Sequence, residues 1–193
     1  MARETIKMGK LEAARRQLRT AISLWFKGGD SVAIHTLAFA AYEIIHTISV
    51  KRDPNRRDLL FDTAWVKDEY RRDWNQCIRR EANFFKHADR DGDSVIDFNP
   101  EFAQWFIFFA ILGRELCGET ASMEESAFMW WFQTTRPDLL TEEGCKFLAE
   151  QMPVDNVEYL RTRPKSEFFE AFRHARILAA QRRQGRVLRF PVE

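Results

Sequence analysis

Apolar residues recur at intervals of three and four along nearly the whole chain, and 8 glycines and 6 prolines are too few to interrupt them often. With 3.6 residues per turn that spacing lines one face of a helix, so it predicts an all-α fold. From Glu4 to Lys27 one stripe comprises Ile6, Leu11, Ala14, Leu18, Ala21, Ile22 and Trp25, with Arg15, Arg16 and Arg19 largely off it. Gly28-Gly29 ends this helix, and Asp30 or Ser31 caps the next. That second helix, through about Val50, carries Ala33, Leu37, Ala40, Ala41, Ile44, Ile45 and Ile48. Being apolar nearly all round, it belongs at the centre of a bundle. A third, more polar helical region spans roughly Arg57 to Lys86 with a break near Thr63.

After an acidic loop, Asn99-Pro100-Glu101 starts a fourth helix through Leu116, because proline at the first position loses no needed hydrogen bond. Ser122 caps a fifth through about Thr134. Shorter helices are expected from Thr141 to Gln151 and from about Val154 to Arg161. A last long one follows Pro164, capped by Ser166, with Phe168, Phe169, Phe172, Ile177 and Leu178 as its stripe. The expectation is a bundle of about seven helices in one domain of 193 residues. A subdivision would fall between a bundle core, residues 4–117, and a helical extension with a basic tail, residues 118–193.

Composition narrows the function classes. Lys plus Arg is 30 and Asp plus Glu is 29, so a net charge of +1 gives no global nucleic-acid footprint. Cys77, Cys117 and Cys145 are an odd number without CxxC spacing, which argues against a disulfide framework or a zinc ribbon. Reduced, mostly buried thiols in a cytoplasmic protein are the expectation. The N-terminus lacks the apolar core of a signal peptide, and the most apolar stretch, Phe102 to Leu112, falls short of the ~20 residues of a membrane span. No Gly-rich phosphate loop, HExxH or GxSxG occurs, and no cofactor is implied.

The stretch that could carry chemistry is Arg79-Arg80-Glu81-Ala82-Asn83-Phe84-Phe85-Lys86-His87. Two turns make about 7.2 residues, so Arg80, Asn83 and His87 share a face if the helix extends that far. An imidazole titrating near neutrality beside a fixed cation suits phosphodiester chemistry. The histidine moves a proton on a ribose or leaving oxygen, and the arginine orients phosphate and offsets its charge. The same residues also fit a purely structural role, with His87 and Lys86 favourable at a helix C-terminus and Arg80 pairing with Glu81 or Asp89.

The spacing of Arg80 and His87, six residues between them, resembles the Arg-x(4–6)-His element of the HEPN superfamily of helical domains. Many of its members are metal-independent ribonucleases, usually active as dimers. The resemblance implies an RNA-binding or RNA-cleaving homodimer with Arg80 and His87 as the catalytic pair and Asn83 in support. The segment Asn83 to Asp89 also resembles one that recurs in bacterial hypothetical proteins.

Three further features compete. Asp89, Asp91 and Asp93 alternate as in an EF-hand calcium loop, but the sixth place is Ser94 rather than Gly and the twelfth is Pro100 rather than Glu. Glu43-Ile44-Ile45-His46 is a single ExxH, with His35 three turns back on the same face; diiron bundles need two such elements. A buried Glu43 needs a partner, for which His46 or an arginine of the first helix is expected. The aromatic runs Phe102 to Leu112 and Met129-Trp130-Trp131-Phe132 cannot all face one way, since successive residues point about 100° apart. The surplus suits a second subunit, a protein partner or a small apolar ligand, and a non-catalytic binding protein is the alternative function. The basic pairs Arg15-Arg16 and Arg71-Arg72 and the segment Arg182 to Arg189 could add a local positive patch.

Overall fold

The computed structural model describes residues 5–55, 57–64, 66–87, 92–151, 158–159 and 161–183. Among them are seven α-helices and no strand, so the fold is all-α. The helices are α1 (Lys10–Lys27), α2 (Ser31–Arg52), α3 (Arg71–Phe84), α4 (Ala103–Leu116), α5 (Met123–Thr135), α6 (Glu142–Gln151) and α7 (Lys165–Arg183). The chain groups into two compact units, Met1–Glu125 and Ser126–Glu193.

In the first unit α2 is the central element, packed against both α1 and α4. Ala14, Leu18, Ala21, Ile22 and Trp25 of α1 are buried as their period requires. The helix begins later than the stripe implied. Ile6 and Met8 lie before it, 70% and 46% exposed, and Gly9 stands at the N-cap. Gly28 closes α1 in the left-handed region at φ 65°, which glycine adopts without a Cβ penalty, and its N–H returns to the carbonyl of Leu24 or Trp25. Asp30 caps α2, its carboxylate accepting from the Ala33 N–H at 2.8 Å. With 22 residues and a mean hydropathy of 1.3, α2 is also long and apolar enough to cross a membrane by length and composition. Its buried face is Ile34, His35, Ala38, Phe39, Ala41, Tyr42, Ile45 and Ser49. Gly113 lets α4 approach closely: a Cβ there would lie 2.6 Å from Ile45 Cγ2 and 3.3 Å from Leu59 Cδ1.

The third helical region corrects the sequence-based expectation. The described residues between 57 and 70 form no α-helix but two single 3₁₀ turns, Leu60–Asp62 and Asp68–Tyr70, before α3 begins. Leu59, Leu60 and Phe61 are all buried, and three consecutive inward side chains cannot lie on one helix face. Side chains satisfy the backbone that a helix would have paired. Arg57 Nε donates to the Asp62 carbonyl at 2.9 Å, Arg71 donates to the carbonyls of Thr63 and Val66 at 2.7 and 2.6 Å, and Trp74 Nε1 donates to Leu60 at 2.9 Å.

Asn99 caps the turn Pro100–Phe102 that leads into α4, accepting from the Glu101 N–H at 3.0 Å. Ser122 caps α5: its hydroxyl accepts from the Glu125 N–H at 3.2 Å, while Glu125 accepts from the Ser122 N–H at 2.6 Å. This reciprocal pair is a capping box. The other Glu125 oxygen accepts from Arg114, forming an ion pair with both side chains buried.

In the second unit Phe128, Trp131, Phe132 and Phe168 are buried, and Trp131 meets Phe128 at 5.6 Å between centroids. Arg161 Nε donates to the Thr134 carbonyl at 2.6 Å. The last helix starts at Lys165, so Ser166 lies inside it rather than capping it; the Pro164 carbonyl accepts from Glu167 and Phe168 at 3.0 and 3.2 Å. The helix expected from Val154 to Arg161 and the basic segment beyond Arg183 fall largely outside the described residues.

Candidate nucleic-acid interface

Periodicity fixes which way α3 faces. Ile78, Glu81 and Ala82 are buried, whereas Arg72, Gln76, Arg80, Asn83 and His87 are exposed. The assigned helix ends at Phe84, but its hydrogen bonding continues, with Phe85 N to the Glu81 carbonyl at 3.0 Å and His87 N to the Asn83 carbonyl at 3.1 Å. Arg80, Asn83 and His87 therefore stack on one outward ridge. Arg80 and His87 point within about 20° of each other and lie about 10 Å apart along the axis, a gap an arginine side chain can reach across.

Arg80 is braced from two sides. Its Nη2 lies 3.4 Å from Glu81 Oε1 and 3.4 Å from the Asp97 carbonyl, while the side chain stays 61% exposed. Glu81 is buried, and its Oε2 lies 3.8 Å from Nε2 of His35 on α2. His35 is completely buried with neither ring nitrogen hydrogen-bonded. The rings of Phe85, Phe98 and Phe106 meet it edge-on at 5.5, 5.5 and 5.3 Å. Burial pushes its pKa down from 6.5 to about 4, with the nearby Lys86 charge acting in the same direction. The Lys86 ammonium itself lies 4.6 Å from the centre of the Phe39 ring.

The opposite flank of α3 resolves the ExxH element. Glu43 pairs with Arg79 of α3, neither with His46 nor with an arginine of α1, because the two helices bring Arg79 alongside. Arg79 also covers the Phe61 ring at 4.1 Å. His46 Nε2 instead bonds Asp62 Oδ2 at 2.6 Å. Burial lowers the His46 pKa and outweighs the opposing pull of Asp62. On α7 the Glu170 carboxylate pairs with Arg173, at 2.6 Å. Asp89 and Asp91 of the acidic loop lie outside the described residues and Asp93 is exposed. Among the described residues, three or more His, Cys, Asp or Glu side chains nowhere converge as metal ligands would.

The basic pairs are largely engaged. Arg15 and Arg16 both bond Glu12 at 2.7 Å, and Arg71 holds carbonyls, which leaves Arg72 pointing outward. The three cysteines are free, but Cys77 and Cys145 are exposed rather than buried; Cys77 falls on the outer side of α3, one residue before the inward Ile78. The expected pairing of Arg80 with Glu81 is present; what sequence reasoning missed is that Glu81 also faces His35, that Asp62 partners His46 and that Arg79 partners Glu43. The signal for Glu81 was a carboxylate on the α3 face that carries Ile78 and Ala82. Comparison with protein-family models, with curated proteins and with solved structures finds no match to this chain.

Proposed function

We propose that this chain binds single-stranded RNA along the outer ridge of α3 and cleaves it without a metal ion, as a cytoplasmic homodimer. The observation that carries the reading is the exposed alignment of Arg80, Asn83 and His87, continued past the helix end by the His87-to-Asn83 hydrogen bond. His87 takes the proton from a ribose 2′-hydroxyl as that oxygen attacks the adjacent phosphorus. The bond from phosphorus to the 5′-oxygen breaks, and a proton returns to that oxygen, leaving a cyclic phosphate and a free 5′-hydroxyl. Arg80 orients the phosphate and offsets the charge that builds on it, and the Asn83 amide hydrogen-bonds a non-bridging oxygen.

The test is cleavage of an end-labelled oligonucleotide by the full chain in excess chelator. His87→Ala should lower the rate at least about 100-fold, within the range for a lost general acid–base, with helical circular dichroism unchanged. A parent protein that neither binds nor cleaves RNA defeats the reading. A specific observation favours the alternative of non-catalytic binding: the half-buried side chains of α4, Trp105, Phe108, Phe109 and Leu112, recur on a single face. On α5 Trp130 is half-buried whereas Trp131 is buried at 8% exposure, so Trp130→Ala rather than Trp131→Ala separates binding from folding. Loss of self-association or ligand binding in Trp130→Ala, with no nuclease activity in the parent, supports that alternative.

A further inference from the structure

Among the described residues, Glu81 is a carboxylate that touches both the core and the proposed RNA-binding ridge. Oε2 faces the His35 imidazole at 3.8 Å and Oε1 faces the Arg80 guanidinium at 3.4 Å. Its two neighbours differ in kind. Arg80 is permanently charged and exposed. His35 is neutral while its nitrogens go unpaired, and becomes a full cation when it takes up a proton. The charged groups that reach His35 from α3 and the turn after it are Glu81 and Lys86. The segment before α4, and α4 itself, meet it with the rings of Phe98 and Phe106. A proton arriving at His35 thus has Glu81 as the carboxylate beside it and aromatic ring edges around it.

We propose that Glu81 is a shared carboxylate that couples proton uptake by buried His35 to the release of Arg80, so that a phosphate on Arg80 and a proton on His35 favour one another. Glu81 is a positioning residue here, holding Arg80 while His35 is neutral. The inference rests on Arg80 as the phosphate-binding group of the proposed function. Coupling between two sites is reciprocal: whatever draws Arg80 away from Glu81 turns the carboxylate towards His35 and makes that imidazole easier to protonate. The device makes the ridge more receptive to a nucleic-acid backbone as the solution becomes acidic.

The test is an NMR titration of His35 in the full chain, with no RNA present, in the parent, Arg80→Ala and Glu81→Gln. Freeing the carboxylate in Arg80→Ala should raise the His35 pKa by about half a unit to one unit, and removing it in Glu81→Gln should lower it. Arg80→Gln serves the first arm if the alanine variant folds poorly. If acid unfolds the chain before titration is complete, the unfolding midpoint reads the same shift, moving to lower pH in Arg80→Ala and to higher pH in Glu81→Gln. A His35 pKa indifferent to Arg80 overturns the coupling, whether or not Glu81→Gln moves it. In a last arm, 2′-deoxy pentauridylate, which lacks the attacking hydroxyl, should raise the His35 pKa in the parent and leave Arg80→Ala unmoved. Silence in this arm alone removes RNA from Arg80 and leaves the coupling standing on the first two, so the two readings fail separately.

Discussion

An imidazole sealed among phenyl rings with neither nitrogen hydrogen-bonded destabilises a core, because each unmet polar atom has lost water and gained no replacement. His35 is such a residue, and its consequence is a definite pH dependence. Folding lowers its pKa from 6.5 to about 4, so between those values the unfolded chain binds more protons than the folded one. Stability is therefore intact above about pH 7 and falls as the pH drops through 6.5 towards 4, by about 2 kcal/mol at pH 5 and approaching 3 at pH 4. His46, whose pKa burial also lowers, acts in the same direction. Urea unfolding of His35→Leu should show no loss at neutral pH and an advantage of about 2 kcal/mol over the parent at pH 5. An unchanged difference between the two pH values would mean that His35 is hydrated in solution.

At the scale of elements, one residue often serves two of them. Glu125 closes the capping box with Ser122 at the start of α5 and also neutralises Arg114 of α4, both of these charged side chains being buried. Ser122→Ala removes one cap and should cost about 1 kcal/mol. Glu125→Ala also leaves the buried Arg114 guanidinium with Glu119, 3.5 Å away, as its remaining carboxylate and should cost about 2–3 kcal/mol, so the gap between the two variants in denaturant titrations reports the buried ion pair. The cap was legible in the sequence because a hydroxyl before an apolar run is a local signal. The ion pair was not, since it depends on how the chain turns between α4 and α5. The same distinction explains the region before α3. Charged residues spaced through 57–70 imitate a helix, while the buried run Leu59-Leu60-Phe61 is satisfied only by the shape of the core it enters. Arg80, Asn83 and His87 could be placed on one face from helical period alone. That Glu81 joins them to His35 depends on the packing of α3 against α2, which no spacing within either helix encodes.

At the scale of the whole molecule, charge sets the terms on which an anionic strand could be held. With 30 basic and 29 acidic residues, the chain has no long-range field to steer RNA. Much of its positive charge is internally committed, Arg57, Arg71, Arg79 and Arg114 each being paired with a carboxylate. The cations that α3 leaves outward are Arg72 and Arg80, and the exposed Lys86 follows in the next turn with its ammonium 4.6 Å from the centre of the buried Phe39 ring. Single-strand binding that neutralises two or three phosphates gives a slope of log affinity against log salt of about −1.5 to −2, since each contact contributes about −0.7. Binding of a 2′-deoxy oligouridylate, which lacks the attacking hydroxyl, measured across a salt series should show that shallow slope, and Arg80→Ala should flatten it by about 0.7. A slope several times steeper would place the interface elsewhere, on a denser basic surface than α3 provides. A slope that Arg80→Ala leaves untouched would take Arg80 out of contact with the strand.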